Sequence, residues 1–151
     1  MSNKITPFLW FNDSLEEAVN FYAATFKNTT VSDISDLGGG VRLASFEIEG
    51  QKFTGMQADG PFKFNESISF FINCDTQEEV DHLWDRLSEG GEIQSCGWLK
   101  DKFGISWQVI PKALMTMMAD KNPAKAGATM QAMMQMQKIE TSVLKAAYDS
   151  A

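Results

Sequence analysis

A motif stated twice, with its copies 62 residues apart, constrains this chain more than any other feature. The first copy reads Trp10-Phe11-Asn12-Asp13-Ser14-Leu15-Glu16-Glu17-Ala18-Val19-Asn20-Phe21-Tyr22, and the second Ile72-Asn73-Cys74-Asp75-Thr76-Gln77-Glu78-Glu79-Val80-Asp81-His82-Leu83-Trp84. In each, an apolar strand-like run stops at a polar knot and a helix begins. Ser14 with Glu17, and Thr76 with Glu79, have the spacing of a capping box. There the hydroxyl accepts from the third helical N–H and the carboxylate reaches back to the cap. A repeated strand–helix unit predicts a repeated fold, and such a fold restricts where a site can lie.

The flanking sequence fills out both copies. A strand is expected over 5–11, a helix over 15–26, and strands over 31–37, 41–48 and 52–57. Gly38-Gly39-Gly40 lies between two of these strands. It reads as a hairpin turn, because glycine accepts positive φ without a steric penalty. After a polar loop the pattern restarts, with a strand over 67–73 and a helix over 77–88. Gly90-Gly91 stands where a left-handed helix cap belongs. Short strands follow over 93–96, 97–100 and 106–110. The expected fold is α+β, built of two tandem β-α-β-β-β modules with a C-terminal helical extension. Module one covers 4–58, module two 66–111, and the extension 112–151.

The extension differs in character. It holds seven of the nine methionines. A short helix is expected over 112–120 and a long one over 124–147. On a helical wheel, Ala132, Met136, Ile139, Val143 and Ala147 share one face, and Met130, Met134, Leu144 and Tyr148 share another. The helix is expected to pack on the body, with methionines filling irregular gaps. The second apolar face leaves a partner subunit as the alternative.

Charge narrows the function classes. The net charge is −7, made of −9 over residues 1–111 and +2 over the rest. An acidic body argues against nucleic acid, whose phosphate backbone calls for clustered cations. No apolar run approaches the roughly 20 residues that span a membrane, and the first residues lack a signal-peptide pattern. A cytoplasmic protein without nucleic-acid or membrane partners is expected. Two cysteines, Cys74 and Cys96, fit a reducing compartment.

Two such modules in tandem resemble the vicinal oxygen chelate superfamily, which includes glyoxalase I, extradiol dioxygenases and bleomycin-resistance proteins. The PhnB-like branch, labelled a 3-demethylubiquinone-9 3-methyltransferase domain, is the nearer resemblance. It rests on Ile5-Thr6-Pro7-Phe8-Leu9-Trp10-Phe11, on the Glu-Glu-Ala-x-x-Phe-Tyr helix at Glu16 to Tyr22, and on the run from Cys96 to Pro111. The methionine-rich tail with Asn122-Pro123-Ala124-Lys125-Ala126 is similar to that branch too. The resemblance implies half-open barrels whose inner faces line a cavity, and a homodimer. In metal-binding members it implies His, Glu or Gln ligands on the first and fourth strands of each module.

Those positions fall here near Thr6 or Pro7, Gln57, Ile68 or Ser69, and Gln108. None is a carboxylate or imidazole, and a neutral amide is a poor substitute on a transition metal. The only histidine, His82, belongs to the second helix. No metal and no cofactor are therefore expected. No glycine-rich strand-to-helix turn of nucleotide-binding type occurs either. The expected function is metal-independent binding of a small molecule in the cavity, with any enzymatic chemistry unspecified. The alternatives are a metal-dependent glyoxalase or dioxygenase with atypical ligands, and a methyltransferase as the family label says.

Gln57 and Gln108 are the foremost cavity candidates, since two amides could orient a polar group on a ligand. Phe11, Phe71 and Trp98 would supply aromatic walls, with ordinary core packing as the competing role. Ser69 and Cys96 complete the set. Lys100 and Lys102 near Cys96 could lower its thiol pKa, against the alternative of an inert buried thiol. Trp107, alternating with Gln108, is expected in the core with Tyr22 and Trp84, and His82 on the surface. Glu16, Glu17, Glu78 and Glu79 complement helix dipoles.

Overall fold

The structure is a computed structural model that describes residues 4–151. The chain forms two compact units, residues 1–63 and 64–151. The second unit therefore contains both module two and the whole extension.

In the first unit the order is β1 (Phe8–Phe11), α1 (Leu15–Thr25), β2 (Thr29–Val31), β3 (Ser35–Gly38), β4 (Val41–Ile48) and β5 (Gln51–Gln57). The sheet order is β1-β5-β4-β2, with β3 also paired to β4. β1 runs parallel to β5, from Phe8 opposite Thr54 to Phe11 opposite Gln57. The strand expected over 31–37 is two strands. Ser32 interrupts it, with its Oγ accepting from the Ser45 N–H at 2.9 Å. β1 begins at Phe8 rather than Ile5, and Ile5 is exposed.

Side chains alternate across a strand, and α1 covers one face of this sheet. Leu9 and Phe11 of β1, Ala44, Phe46 and Ile48 of β4, and Phe53 of β5 are buried there with Leu15, Ala18, Val19 and Tyr22 of the helix. Tyr22, Phe46 and Phe53 form a stacked column, with centroids 6.4 and 5.3 Å apart. Gly55 leaves room on this face for Leu15, whose Cδ1 would lie 2.5 Å from a Cβ at that position.

The second unit contains β6 (Ser69–Cys74), α2 (Gln77–Ser88), β7 (Glu92–Ile93), β8 (Trp98–Lys100), β9 (Ser106–Pro111), α3 (Lys112–Met118), α4 (Pro123–Met134) and α5 (Thr141–Asp149). Its sheet order is β6-β9-β8-β7, and β6 is parallel to β9. The first and last strands of the module are thus neighbours, as in the first unit. α2 buries Val80, Leu83, Trp84 and Leu87. Cys74, Leu99, Trp107 and Val109 are buried as well, and His82 is exposed.

The two helix starts differ. Thr76 caps α2, its Oγ1 accepting from the Glu79 N–H at 3.1 Å. Glu79 Oε1 takes the N–H of Asp75, one residue before the cap, at 2.9 Å. Ser14 makes no cap bond. Its hydroxyl donates to Asp13 Oδ1 at 2.7 Å, and Gln57 Oε1 accepts from the Leu15 N–H instead, at 3.2 Å. The capping box expected at Ser14 is therefore replaced by a tertiary acceptor. Thr76→Ala is expected to cost about 1 kcal/mol, the usual loss of a cap, and Ser14→Ala only a few tenths. Urea melts of the two variants measure the difference.

The long helix expected over 124–147 is two helices, broken at residues 135–140. Tertiary hydrogen bonds hold the break. The Cys96 and Gly97 N–H groups donate to the carbonyls of Met136 and Gln137, both at 2.8 Å. The helical wheel faces dissolve accordingly. Ile139 is fully buried, whereas Val143 is exposed. Ile110, Leu114, Ile139 and Leu144 form one core cluster, with Met117, Met118, Met133 and Met136 packed around it. The extension thus packs on module two of its own chain.

Candidate functional site

Each sheet has one face under its helix and one face away from it. The position of a residue relative to these faces decides whether it can meet a ligand. In module two, β9 alternates between Trp107 and Val109, both buried in the core, and Ser106, Gln108 and Ile110 on the opposite face. Phe71 lies opposite Gln108 in β6, and Trp98 lies opposite it in β8. Gln108 Nε2 donates to Ser69 Oγ at 3.0 Å. That bond fixes the amide. It leaves the Gln108 oxygen as an acceptor and the Ser69 hydroxyl hydrogen as a donor. Ser106, on the same face, has a buried Oγ without a hydrogen-bond partner. Phe71 is 43% exposed and Trp98 half-buried. Four of the expected site residues, Ser69, Phe71, Trp98 and Gln108, therefore come together on one open face.

Gln57 and Phe11 do not face outward in this way. Phe11 is 3% exposed in the core under α1, and Gln57 lies opposite it and caps α1. The reason is a one-residue slip. Three residues separate Phe11 from Leu15, whereas only two separate Cys74 from Gln77. The helices match at an offset of 62, but the strands match at 63, pairing buried Phe11 with buried Cys74. A one-residue shift moves every side chain to the other face. At the offset of 63 on β1, Phe8 corresponds to Phe71. Through its strand pairing Thr54 corresponds to Gln108, and Ser45 to Trp98. Phe8, Ser45 and Thr54 are thus the open-face residues of module one that sequence reasoning missed. The spacing between each buried strand residue and its helix was the signal that could have found them.

Cys96 stands in the turn before β8 with φ at +60°, and its N–H is bound by the extension. It is half-buried rather than part of the open strand face. Cys74 is fully buried, and burial, with the Glu79 carboxylate beside it, pushes its thiol up to about 12. Near the face, Lys100 pairs with Glu66. The ion pair lowers the Glu66 pKa and raises that of Lys100, chiefly through their mutual hydrogen bond.

In module one the loop after β5 folds over Trp10. The Trp10 indole donates to the Ala58 carbonyl at 2.7 Å and meets Phe62 edge-on at 4.9 Å. A Cβ on Gly60 would lie 2.7 Å from the Trp10 ring.

The donor set does not fit a transition metal. Among the described residues no three of His, Cys, Asp or Glu stand close enough together to hold one. The expected ligand positions offer hydroxyls and amides, and one of the amides is engaged as a helix cap. No helix among the described residues is long and apolar enough to cross a membrane.

The model of the family described as 3-demethylubiquinone-9 3-methyltransferase matches residues 3–110. A PhnB protein from Bacillus cereus with the same methyltransferase description is 33% identical. The match covers 72% of this chain and 99% of that one, with a TM-score of 0.67. A protein from Pseudomonas aeruginosa is 21% identical over 73% of this chain and 98% of its own, at a TM-score of 0.64. The fosfomycin resistance protein FosX of Listeria monocytogenes, solved with Mn(II) and sulfate, is 23% identical over 71% of this chain and 89% of its own, at 0.52. The last two likenesses bear on the fold alone. No curated protein sequence matches significantly. Two modules with parallel first and last strands, matched over most of their length, place the chain in the 3-demethylubiquinone-9 3-methyltransferase family, in the PhnB-like branch of the vicinal oxygen chelate superfamily.

Proposed function

We propose that the protein binds a small planar molecule carrying a hydroxyl or carbonyl group on the open face of module two, without a metal. The observation that carries this reading is the Gln108–Ser69 hydrogen bond beside half-buried Trp98 and exposed Phe71. Ligand sites combine apolar walls with a few fixed polar groups, and this face has both. Trp98 and Phe71 offer ring surfaces for stacking. The Gln108 oxygen accepts from a ligand hydroxyl, and the Ser69 hydroxyl donates to a ligand oxygen. The reading includes a cytoplasmic homodimer, which rests on the family resemblance.

Titration of the intact protein with p-cresol, followed by tryptophan fluorescence and by thermal shift, tests the site. A ligand that binds only the folded state raises the melting temperature. Saturable binding that weakens roughly tenfold in Gln108→Leu is expected, the effect of one charge-free hydrogen bond of about 1.4 kcal/mol. Binding unchanged by that substitution would place the ligand elsewhere. S-adenosylmethionine belongs in the same titration. A saturable shift with it would favour the methyltransferase reading that the family description carries.

A further inference from the structure

The family match ends at residue 110, and the segment beyond it returns to the face just described. Ile110 stands two residues after Gln108 on β9, on the same side of the strand. It is 3% exposed and is covered by a cluster that Ile139, itself fully buried, forms with Leu114 and Leu144 of the extension. Gly97, next to Trp98, completes the contact. A Cβ there would lie 2.7 Å from Ile110 Cδ1 and 3.1 Å from Ile139 Cγ1. The extension has thus placed an aliphatic side chain at one end of the polar and aromatic strip.

The segment is tied down at defined points. Gln77, at the start of α2, grips it with both ends of its amide. Nε2 donates to the Ile139 carbonyl at 2.8 Å, and Oε1 accepts from the Thr141 N–H at 2.8 Å. Lys138 bridges Asp81 and Glu140, at 2.9 and 3.5 Å. On the other side lie the two bonds from the Cys96 and Gly97 N–H groups.

We infer that the extension forms the end wall of the module-two site, with Ile139 as the residue that limits ligand length and Gln77 as the positioning residue that holds it. This rests on the site proposed above. The wall stops any substituent that runs along β9 from Gln108 toward Ile110. A ligand held by its hydroxyl at Gln108 therefore carries a short para substituent in the wild-type protein.

The test compares 4-ethylphenol with 4-hexylphenol, titrated against the full chain and its Ile139→Ala and Ile139→Val variants. The expected result is a gain of at least fivefold in affinity for 4-hexylphenol in Ile139→Ala, a smaller gain in Ile139→Val, and little change for 4-ethylphenol. Ile139→Val, which removes one methyl group, keeps the comparison valid if the alanine variant loosens the extension. Equal changes for both phenols, or none, would overturn the end wall while leaving the site in place. Failure of either phenol to bind any of the three proteins would overturn the site itself, and the wall with it. Hydrogen exchange tests the latch separately. Gln77→Ala should speed exchange of the Cys96 and Gly97 amides at least tenfold while the Trp107 and Val109 amides stay protected. Unchanged exchange at Cys96 and Gly97 would remove Gln77 from that role.

Discussion

Gly91→Ala should destabilise the protein by about 3 kcal/mol or more, in the upper range for overpacking, although it adds only one methyl group. A Cβ at this position would lie 2.0 Å from the Lys100 carbonyl oxygen, 2.8 Å from the Asp101 carbonyl carbon and 3.0 Å from Asp101 Cα. All three atoms are backbone, so no rotamer change can make room. The chain between α2 and β7 has to move away from β8. That movement breaks the pairing of Glu92 with Lys100 and of Ile93 with Leu99. Gly127→Ala is the control. Gly127 lies within α4, and a Cβ there meets nothing within 4 Å. Alanine in a helix interior is favoured over glycine by roughly 0.5–1 kcal/mol, so this variant should be slightly more stable than the wild type. Urea unfolding of both variants provides the measurement. A Gly91→Ala midpoint within about 1 kcal/mol of the wild type would show that the turn can relax, contrary to this argument.

The sequence carried some of this architecture openly and concealed the rest for identifiable reasons. Local periodicity and turn residues located the helix and the sheet of each module, because amphipathic patterns and glycine turns act over a few residues. Gln108 could be placed because alternation along β9 fixes its side relative to buried Trp107, and the pairing of β6 and β8 with β9 brings Ser69, Phe71 and Trp98 to the same face. Gln57 and Phe11 were misplaced because facing depends on an exact count across the strand–helix loop, and the two loops differ by one residue. The break at residues 135–140 left no local mark. Its sequence, Gln135-Met136-Gln137-Lys138-Ile139-Glu140, contains neither glycine nor proline and is compatible with a helix. What opens it is a set of distant partners, Gln77, Cys96 and Gly97, whose hydrogen bonds compensate the helical ones given up there. The missing cap at Ser14 has the same origin, since an amide 42 residues away occupies the first helical N–H.

Asp101→Ala is expected to cost about 3–5 kcal/mol, because it strands several buried donors together. Asp101 is 3% exposed. Its Oδ1 accepts from the N–H groups of Phe103 and Ile105, at 2.9 and 3.0 Å, and its Oδ2 from the Trp107 indole N–H at 2.9 Å. The backbone closes the same loop, with the Asp101 N–H donating to the Ile105 carbonyl and the Gly104 N–H to the Asp101 carbonyl, both at 2.9 Å. One carboxylate thus shapes the turn between β8 and β9 and anchors the buried face of β9. Asparagine keeps the shape but offers only one acceptor oxygen, and its amino group must point at an N–H donor. Asp101→Asn should therefore fall between wild type and alanine. Trp107→Phe removes a single donor and leaves the carboxylate its two backbone bonds, so a double-mutant cycle of Trp107→Phe with Asp101→Ala isolates the indole bond. At roughly 2–4 °C per kcal/mol for a chain of this length, the alanine variant should melt about 10 °C lower. An Asp101→Ala loss below about 1 kcal/mol would mean that the turn holds without its carboxylate. The consequence reaches the open face as well. Gln108 follows Trp107 on β9, so releasing the indole frees the strand that presents the amide, and p-cresol affinity should fall even where the variant remains folded.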